Sequence, residues 1–150
     1  MGNGMSARIF LLLAAVLAAM VAAGWLLVPR APAGSLPQGA ISLPSGQVVT
    51  LLDVITNVPG SDGLASRFRF LAPAIARAGG TVDADTASTD MDWVCTNFAL
   101  GHISNIGPQP GQVIISFSDM DVPFGESHPE ATQFFNAYSI ANGTCIWDMF

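Results

Sequence analysis

Apolar residues follow two different patterns, one before and one after position 30. Ile9 to Val28 is a run of twenty residues without a charged or polar side chain, and arginines flank it on both sides. At about 1.5 Å per residue, a helix of that length spans the ~30 Å hydrocarbon core of a bilayer. Trp25 lies near the end of the run, which suits a membrane interface. Residues 1–30 are therefore predicted to be a transmembrane anchor or a signal peptide.

These two interpretations of residues 1–30 remain open. Small residues at Val21-Ala22-Ala23, and again at Ala31-Pro32-Ala33, would suit a signal-peptide cleavage site. If the segment stays uncleaved, residues 9–28 hold the protein in the membrane. Under both interpretations the rest of the chain is exported. It is then either anchored on the periplasmic side of the inner membrane or free in the periplasm. Residues 31–42, rich in Pro, Gly and Ala, are predicted to be a tether to a domain at 43–150.

The domain opens with a predicted β-hairpin. Gln47 to Ile55 is rich in β-branched residues, and Leu64 to Leu71 alternates apolar and polar positions. Within the second run, Phe68 and Phe70 point to one face and the intervening arginines to the other. Pro59 to Gly63 is dense in turn-forming residues, so we expect a loop of four or five residues between the strands.

A helix is predicted after the hairpin. Asp83 or Asp85 can cap its N-terminus, and Gly101 suits its end after about Leu100. The apolar positions recur at a spacing of three to four residues, which indicates one buried stripe. They are Ala84, Ala87, Met91, Val94, Cys95 and Phe98.

The last third of the chain is predicted to return to strands. Val113 to Ser118 alternates as a third strand, and Tyr138 to Asp148 forms a hairpin around Asn142-Gly143, a strong two-residue turn. Glu130 to Phe135 is compatible with either a short helix or the start of a strand. The fold predicted is therefore α+β: a small antiparallel sheet of four to six strands packed on one main helix.

Charge narrows the range of partners. The chain has no lysine, and after residue 33 three arginines accompany eleven acidic residues, a formal charge of −8. Such a surface repels phosphate backbones and anionic lipid, so nucleic-acid binding is excluded and membrane contact is expected from residues 9–28 alone. The three arginines, Arg67, Arg69 and Arg77, form a candidate face for an anion or a partner's carboxylates, or else a solvated face paired with nearby acids.

Cys95 and Cys145 are the two cysteines of the chain. Outside the cytoplasm two thiols usually form a disulfide, so we expect a bond that joins the helix to the last strand. It would stabilise the domain by up to about 4 kcal/mol in the chain-entropy model. A redox role would require a close pair such as Cys-x-x-Cys, which the spacing does not provide.

Other polar and aromatic clusters have a structural explanation. The loop with Asp119, Asp121, Glu126, His128 and Glu130 is oxygen-rich, but it lacks the order of an EF-hand. His102 is expected to cap or flank a helix end, and the sequence contains no Gly-x-Ser-x-Gly elbow. A larger aromatic group is expected to pack in the core rather than to line a groove. It comprises Trp93, Phe134, Phe135, Tyr138 and Trp147.

From Leu43 onward the chain resembles a family of small proteins of unknown function from alphaproteobacteria of the Rhodobacter–Roseobacter type. The stretches that carry the resemblance are LPSG (43–46), RFRFLAPAIAR (67–77), GGTVD (79–83), SNIGPQP (104–110), PEATQFF (129–135) and GTCIW (143–147). The name acetolactate synthase is sometimes attached to such proteins. That activity implies a much longer cytoplasmic chain that binds thiamine diphosphate and magnesium, and this chain has no recognisable diphosphate motif.

The sequence thus favours a non-catalytic periplasmic accessory domain that binds another envelope protein, without a metal or cofactor. Two alternatives remain: a binder of a small molecule or metal ion through the acidic loop or the arginines, and an enzyme whose site the motifs do not disclose. A flat apolar patch would favour the first hypothesis. A deep pocket that converges on His102 or His128 would favour an enzyme.

Overall fold

Six strands form one sheet, and an α-helix packs across one of its faces. The structure is a computed structural model that describes residues 39–61 and 63–149. The predicted export segment, 1–30, and residues 31–38 of the predicted tether lie outside these residues. Within the described ranges, no helix is long and apolar enough to cross a membrane.

The first half of the sheet is an antiparallel meander. Strand β1 (Ala40–Ser42) pairs with β2 (Val48–Gly60), and β2 pairs with β3 (Gly63–Leu71). Gly60 pairs directly with Gly63, so the turn is tighter than the predicted loop of four or five residues. Strand β1 falls in the segment that the composition assigned to the tether. Three residues are too few to show a periodic pattern, whereas in the structure they pair with the outer edge of β2.

The helix lies in the connection between β3 and β4. After a 3-10 turn at Pro73–Ile75, α1 (Ala84–Val94) begins at Asp83, whose side chain accepts a hydrogen bond from the Thr86 N–H, 2.8 Å away. This bond lowers the pKa of Asp83 and confirms the predicted cap. The helical path then widens into a π-turn, Cys95–Ala99, and ends in a 3-10 turn, Leu100–His102. The predicted end near Leu100 is therefore correct, but the last two turns are not α-helical.

The second half of the sheet is again antiparallel. Strand β4 (Gln112–Ser118) pairs with β5 (Gln133–Ala141), which pairs with β6 (Thr144–Trp147). Asn142 and Gly143 both have positive φ, 52° and 73°, as the predicted two-residue turn requires. The ambiguous segment 130–135 is resolved in favour of a strand from Gln133 onward.

The pairing of β3 with β4 corrects the predicted sheet. These two central strands run parallel, from Ala65 opposite Gln112 to Leu71 opposite Ser118, so the sheet is mixed rather than antiparallel. The physical reason is the helical connection, which crosses the face of the sheet and returns the chain to the same end. The α+β class is confirmed, and α1 is the main helix of the residues that the structure describes.

The core lies between α1 and the inner face of the sheet. Phe70 packs edge-to-face with Phe98 and Phe117, at centroid distances of 5.8 and 5.9 Å. Burying each such side chain contributes about 1.5–3 kcal/mol. Most of the predicted stripe of the helix faces this core. Its buried members are Ala87, Met91, Val94 and Cys95, whereas Phe98 is half-buried and Ala84 is exposed.

Candidate functional site

The disulfide between Cys95 and Cys145 is formed in the structure, which confirms the predicted pairing. It joins the π-turn to β6, with a Cα–Cα distance of 6.1 Å. Cys95 is fully buried, whereas β6 lies at the margin of the sheet. The bond therefore fixes the outermost strand to the core rather than reinforcing the centre.

The free side of β6 is apolar and exposed. Among the described residues no strand pairs with its outer edge, because β6 ends the strand order. We call four side chains on and beside β6 the apolar edge; they are Phe135, Ile146, Trp147 and Met149, exposed by 62%, 50%, 50% and 83%. Because Ile146 and Trp147 are consecutive in the strand, their side chains point to opposite faces of the sheet. Exposed apolar side chains on both faces of one margin are the kind of surface that marks a site of protein interaction.

A concavity of about 360 Å³ lies between this margin and the N-terminal half of α1. Phe135 and Trp147 of the apolar edge are among its walls, with Phe134 and Met91. Its polar lining residues are Asp85, Ser88, Gln133 and Asn136, and Ala84 completes the lining. The expectation that the aromatic group packs in the core is therefore right for Tyr138 and for the partly buried Phe134. It is wrong for the exposed Trp93, Phe135 and Trp147.

A hydrogen-bonded chain forms the floor of this region. Asn136 donates to Ser88 Oγ, 2.7 Å away, and to the Tyr138 hydroxyl, 3.1 Å away. Tyr138 in turn donates to Asp92 Oδ1 at 2.7 Å. Burial, reinforced by the neighbouring Asp92 carboxylate, raises the pKa of Tyr138 far above its usual range. The phenol is thus neutral at physiological pH and donates to Asp92 behind the concavity.

A second buried carboxylate, Asp90, has a structural role. It accepts hydrogen bonds from the backbone N–H and the hydroxyl of Ser45 and, at 2.6 Å, from Gln47 Nε2. These bonds hold the turn between β1 and β2 against α1. This contact is not predictable from the sequence. The partners of Asp90 lie more than forty residues away, so no local pattern indicates that this helical aspartate is buried.

The arginines do not form one site. Arg67 and Arg69 lie on the outer face of β3, as the alternation predicted, whereas Arg77 is an exposed residue after the 3-10 turn. Arg69 Nη1 makes a 2.8 Å ion pair with Asp53, and Nη2 donates to the Val122 carbonyl. The roles of Asp53 and Val122 are not predictable from the sequence, because strand register brings Asp53 to Arg69 and the docking of the loop after β4 brings Val122 there.

Phe124 covers both arginines of β3. Its ring centroid is 5.7 Å from Arg67 Cζ and 5.9 Å from Arg69 Cζ, and its side chain is 54% exposed. Arg67 is half-buried, and its Nε atom has no hydrogen-bond partner. Desolvation, and then the charge of Arg69, lowers the pKa of Arg67. No pattern in the sequence pointed to Phe124.

The histidines take part in local contacts. His102 Nδ1 donates to the Phe98 carbonyl, 2.7 Å away, and the imidazole stacks on the Phe98 ring, so it closes the helical segment as expected. His128 lies between Glu126 and Glu130 in the acidic loop. Neither histidine lines the concavity beside β6, nor a smaller one of about 130 Å³ that includes Asn57 and Ile106.

The acidic loop does not gather its oxygen atoms around one point. Asp119 Oδ1 accepts from the Thr132 N–H at 2.9 Å, which fixes the base of the loop. A hydrogen bond within its own residue, and one with His128, lower the pKa of Glu130. Within 39–61 and 63–149, no three His, Cys, Asp or Glu residues lie close enough together to hold a metal ion.

Comparison with known proteins identifies the family of the chain but assigns no activity to it. Residues 19–150 match the model of a family of unknown function (DUF6497), and the chain belongs to that family. No curated protein matches the chain, and no solved structure matches it either. The resemblance seen in the sequence is thereby confirmed at the level of a family of unknown function.

Proposed function

We propose that this member of the family is an exported accessory domain that binds an extended segment of another envelope protein along β6. The observation that carries the proposal is the apolar edge, which lies on a strand whose outer backbone groups pair with no described strand. An extended peptide that joins such an edge gains main-chain hydrogen bonds, and its alternate side chains reach both faces of the sheet.

The character of β6 supports this mode of binding. Proteins normally protect sheet edges with lysine, proline, bulges or inward-pointing charges. Thr144 to Trp147 contains neither a charge nor a proline. The next residue, Asp148, turns inward: its carboxylate accepts from Gln112 Nε2 at 3.2 Å and its N–H bonds to the Ala137 carbonyl. Thr144 to Trp147 therefore has no protection by charge or proline, and the inward-pointing Asp148 limits strand addition to this four-residue stretch.

The disulfide supports the proposal for a separate reason. Binding to a flexible strand would lose affinity because the strand would have to be ordered first. Cys145 is covalently joined to the core, so β6 is held in its extended conformation before a partner arrives. The opposite edge of the sheet, β1, is only three residues long and is a poorer template.

Charge supports a partner of particular chemistry. The exported part has a formal charge of −8, and Asp85 lies in the wall of the concavity beside β6. A lysine or arginine of the partner would find a carboxylate there and the Trp147 ring for a cation–π contact. We therefore expect the bound segment to be extended, apolar and basic. A periplasmic location, anchored or released, is part of the same proposal and depends on residues 1–30.

The test compares two lysine substitutions in the full chain. Ile146→Lys places a charge on the free edge, and Ile106→Lys introduces the same change at an exposed loop position, 85% exposed, outside β6. Each variant is purified from the envelope of the native host with a tag on a surface loop, and co-purified proteins are quantified. We expect one stoichiometric envelope protein to be lost with Ile146→Lys and retained with Ile106→Lys.

Two outcomes would overturn the proposal. One is that the wild-type chain, isolated from the envelope, carries no stoichiometric partner and is monomeric. The other is a partner that both lysine variants retain, since its binding would not depend on β6. Photo-crosslinking from position 146 then identifies the segment of a true partner, which we expect to be basic.

A further inference from the structure

We propose that Arg67 and Phe124 form a binding site for an oxyanion on the outer face of the sheet, a site separate from β6. The ligand class is a phosphate or carboxylate group, since a guanidinium recognises the planar or tetrahedral arrangement of such oxygen atoms. The proposal depends on the position of one arginine and does not depend on the proposed partner.

The first observation is that Arg67 has no anionic partner in the part of the chain that the structure describes. Its side chain makes no ion pair or hydrogen bond with any residue in 39–61 or 63–149, and Nε is buried as well as unpaired. This is unusual for a half-buried arginine in a domain with eleven acidic residues.

The second observation is that the neighbouring charges leave Arg67 uncompensated. Arg69, two residues away on the same face, is paired with Asp53, so the local sum of the three side chains is one positive charge. Partial burial, and then repulsion by Arg69, disfavour the charged form of Arg67. A fold tolerates such an arrangement most readily where a ligand supplies the missing charge.

The third observation concerns Phe124. Its ring lies over both guanidinium groups, and more than half of its surface is exposed. The loop that carries it is anchored at Val122, which is buried and accepts a hydrogen bond from Arg69. The ring therefore forms one side of a small cationic site whose floor is β3 and whose open side faces solvent. A ring face is a weaker acceptor than an oxyanion, so it does not replace one.

The experiment is calorimetric titration of the full chain with sodium phosphate and, separately, with sodium acetate at constant ionic strength. We expect phosphate to bind saturably, one anion per chain. Arg67→Gln should weaken binding by roughly 10- to 100-fold, the loss produced by removing a donor to a charged group. Arg77→Gln removes the same charge at an exposed position and should leave the affinity unchanged.

Arg67→Lys is a second variant, needed in case Arg67→Gln does not fold. It keeps the positive charge but lacks the forked N–H donors of the guanidinium. We expect an affinity between those of the wild type and of Arg67→Gln, together with a native circular dichroism spectrum. If acetate also binds at Arg67, the site accepts carboxylates as well as phosphates. If phosphate alone binds, the ligand class is limited to phosphate groups. The absence of saturable heat with both anions would overturn the proposal, as would an equal loss in Arg77→Gln.

Discussion

Buried polar side chains in this domain differ in how completely their hydrogen bonds are satisfied. Asp90 accepts three bonds from the turn at Ser45 and Gln47, and the hydroxyl of Tyr138 both donates and accepts. Arg67, by contrast, is half-buried beside a like charge. Three buried side-chain atoms of the described residues have no hydrogen-bond partner, Gln47 Oε1, Asp53 Oδ1 and Arg67 Nε. Because a buried group without a partner costs free energy, the satisfied groups are explained by folding, and Arg67 is the unsatisfied group that we assign to binding.

Tyr138 should make the native domain sensitive to alkali. Its pKa is raised in the folded state, so its contribution to stability is complete below the unfolded value of about 10 and is lost as the pH rises above it. Because Tyr138 is the one tyrosine of the chain, phenolate absorbance reports on it alone. We expect no phenolate near pH 10 until the domain unfolds, whereas the urea-unfolded chain should titrate at about pH 10.

Tyr138→Phe provides the control for this titration. It should remove the phenolate absorbance and cost about 1–2 kcal/mol at neutral pH, because the donor to Asp92 and the acceptor for Asn136 are both lost. Its free energy of unfolding should then depend less on pH above about 10 than that of the wild type. A reversible native titration near pH 10 would show that the phenol is solvated.

At the level of elements, the disulfide connects the least regular part of the helical segment to the shortest strand of the second half. The π-turn, in which the Leu100 N–H bonds to the Cys95 carbonyl, carries one cysteine, and the four-residue β6 carries the other. Neither element would be strongly held by its own backbone hydrogen bonds. The covalent bond compensates for this weakness at the surface that we propose for binding.

Replacing both cysteines by serine should lower the free energy of unfolding by up to about 4 kcal/mol, since a loop of 50 residues is no longer closed in the unfolded chain. Urea denaturation, compared with the wild type under oxidising and reducing conditions, measures the change. Amide hydrogen exchange should become faster in β6 before it does so in β3 or β4. Equal stability with and without the bond would contradict the structural role of the disulfide.

Local patterns in the sequence predicted most of these elements but not their pairing. Period-two alternation located β3 and β4, and Asn142-Gly143 located the last turn, because each depends on neighbouring residues. The parallel contact of β3 with β4 depends on where the helical connection returns, which no local pattern encodes. Three residues of β1 were likewise too few to be recognised.

The candidate sites were less accessible to prediction than the fold. Alternation placed Arg67 and Arg69 on one face, yet Asp53 and Phe124 reach them only through strand register and loop docking. The aromatic residues near the C-terminus looked equally suited to the core, and edge position alone distinguishes exposed Trp147 from buried Tyr138. A site whose residues are distant in the sequence cannot be predicted until the order of the strands in the sheet is known.

For the whole molecule, the dominant electrostatic effect is self-repulsion. Residues 34–150 have a formal charge of −8, with one arginine–carboxylate ion pair, Arg69–Asp53, among the described residues. The compact state concentrates these charges and is disfavoured relative to the expanded chain. Salt screens exposed charges over a Debye length of about 10 Å at 0.1 M, so it should stabilise the fold.

We therefore expect the melting temperature at neutral pH to rise as NaCl is increased from about 0.01 M to about 0.2 M, where screening reaches the spacing between surface charges. Thermal unfolding followed by circular dichroism measures the shift. The same series near pH 4.4, the isoelectric point of the sequence, should show a much smaller effect because the net charge vanishes. A decrease with salt at neutral pH would show that attractive pairs outweigh repulsion.

The parallel contact between β3 and β4 also has a consequence for the order of folding. The hairpins β2–β3 and β5–β6 close over turns of two residues, whereas Ala65 meets Gln112 only after the whole helical connection has been arranged. Short loops close quickly and long ones slowly. The two antiparallel halves should therefore form first as separate meanders, and the joining of β3 to β4 should limit the rate at which the chain reaches its native state.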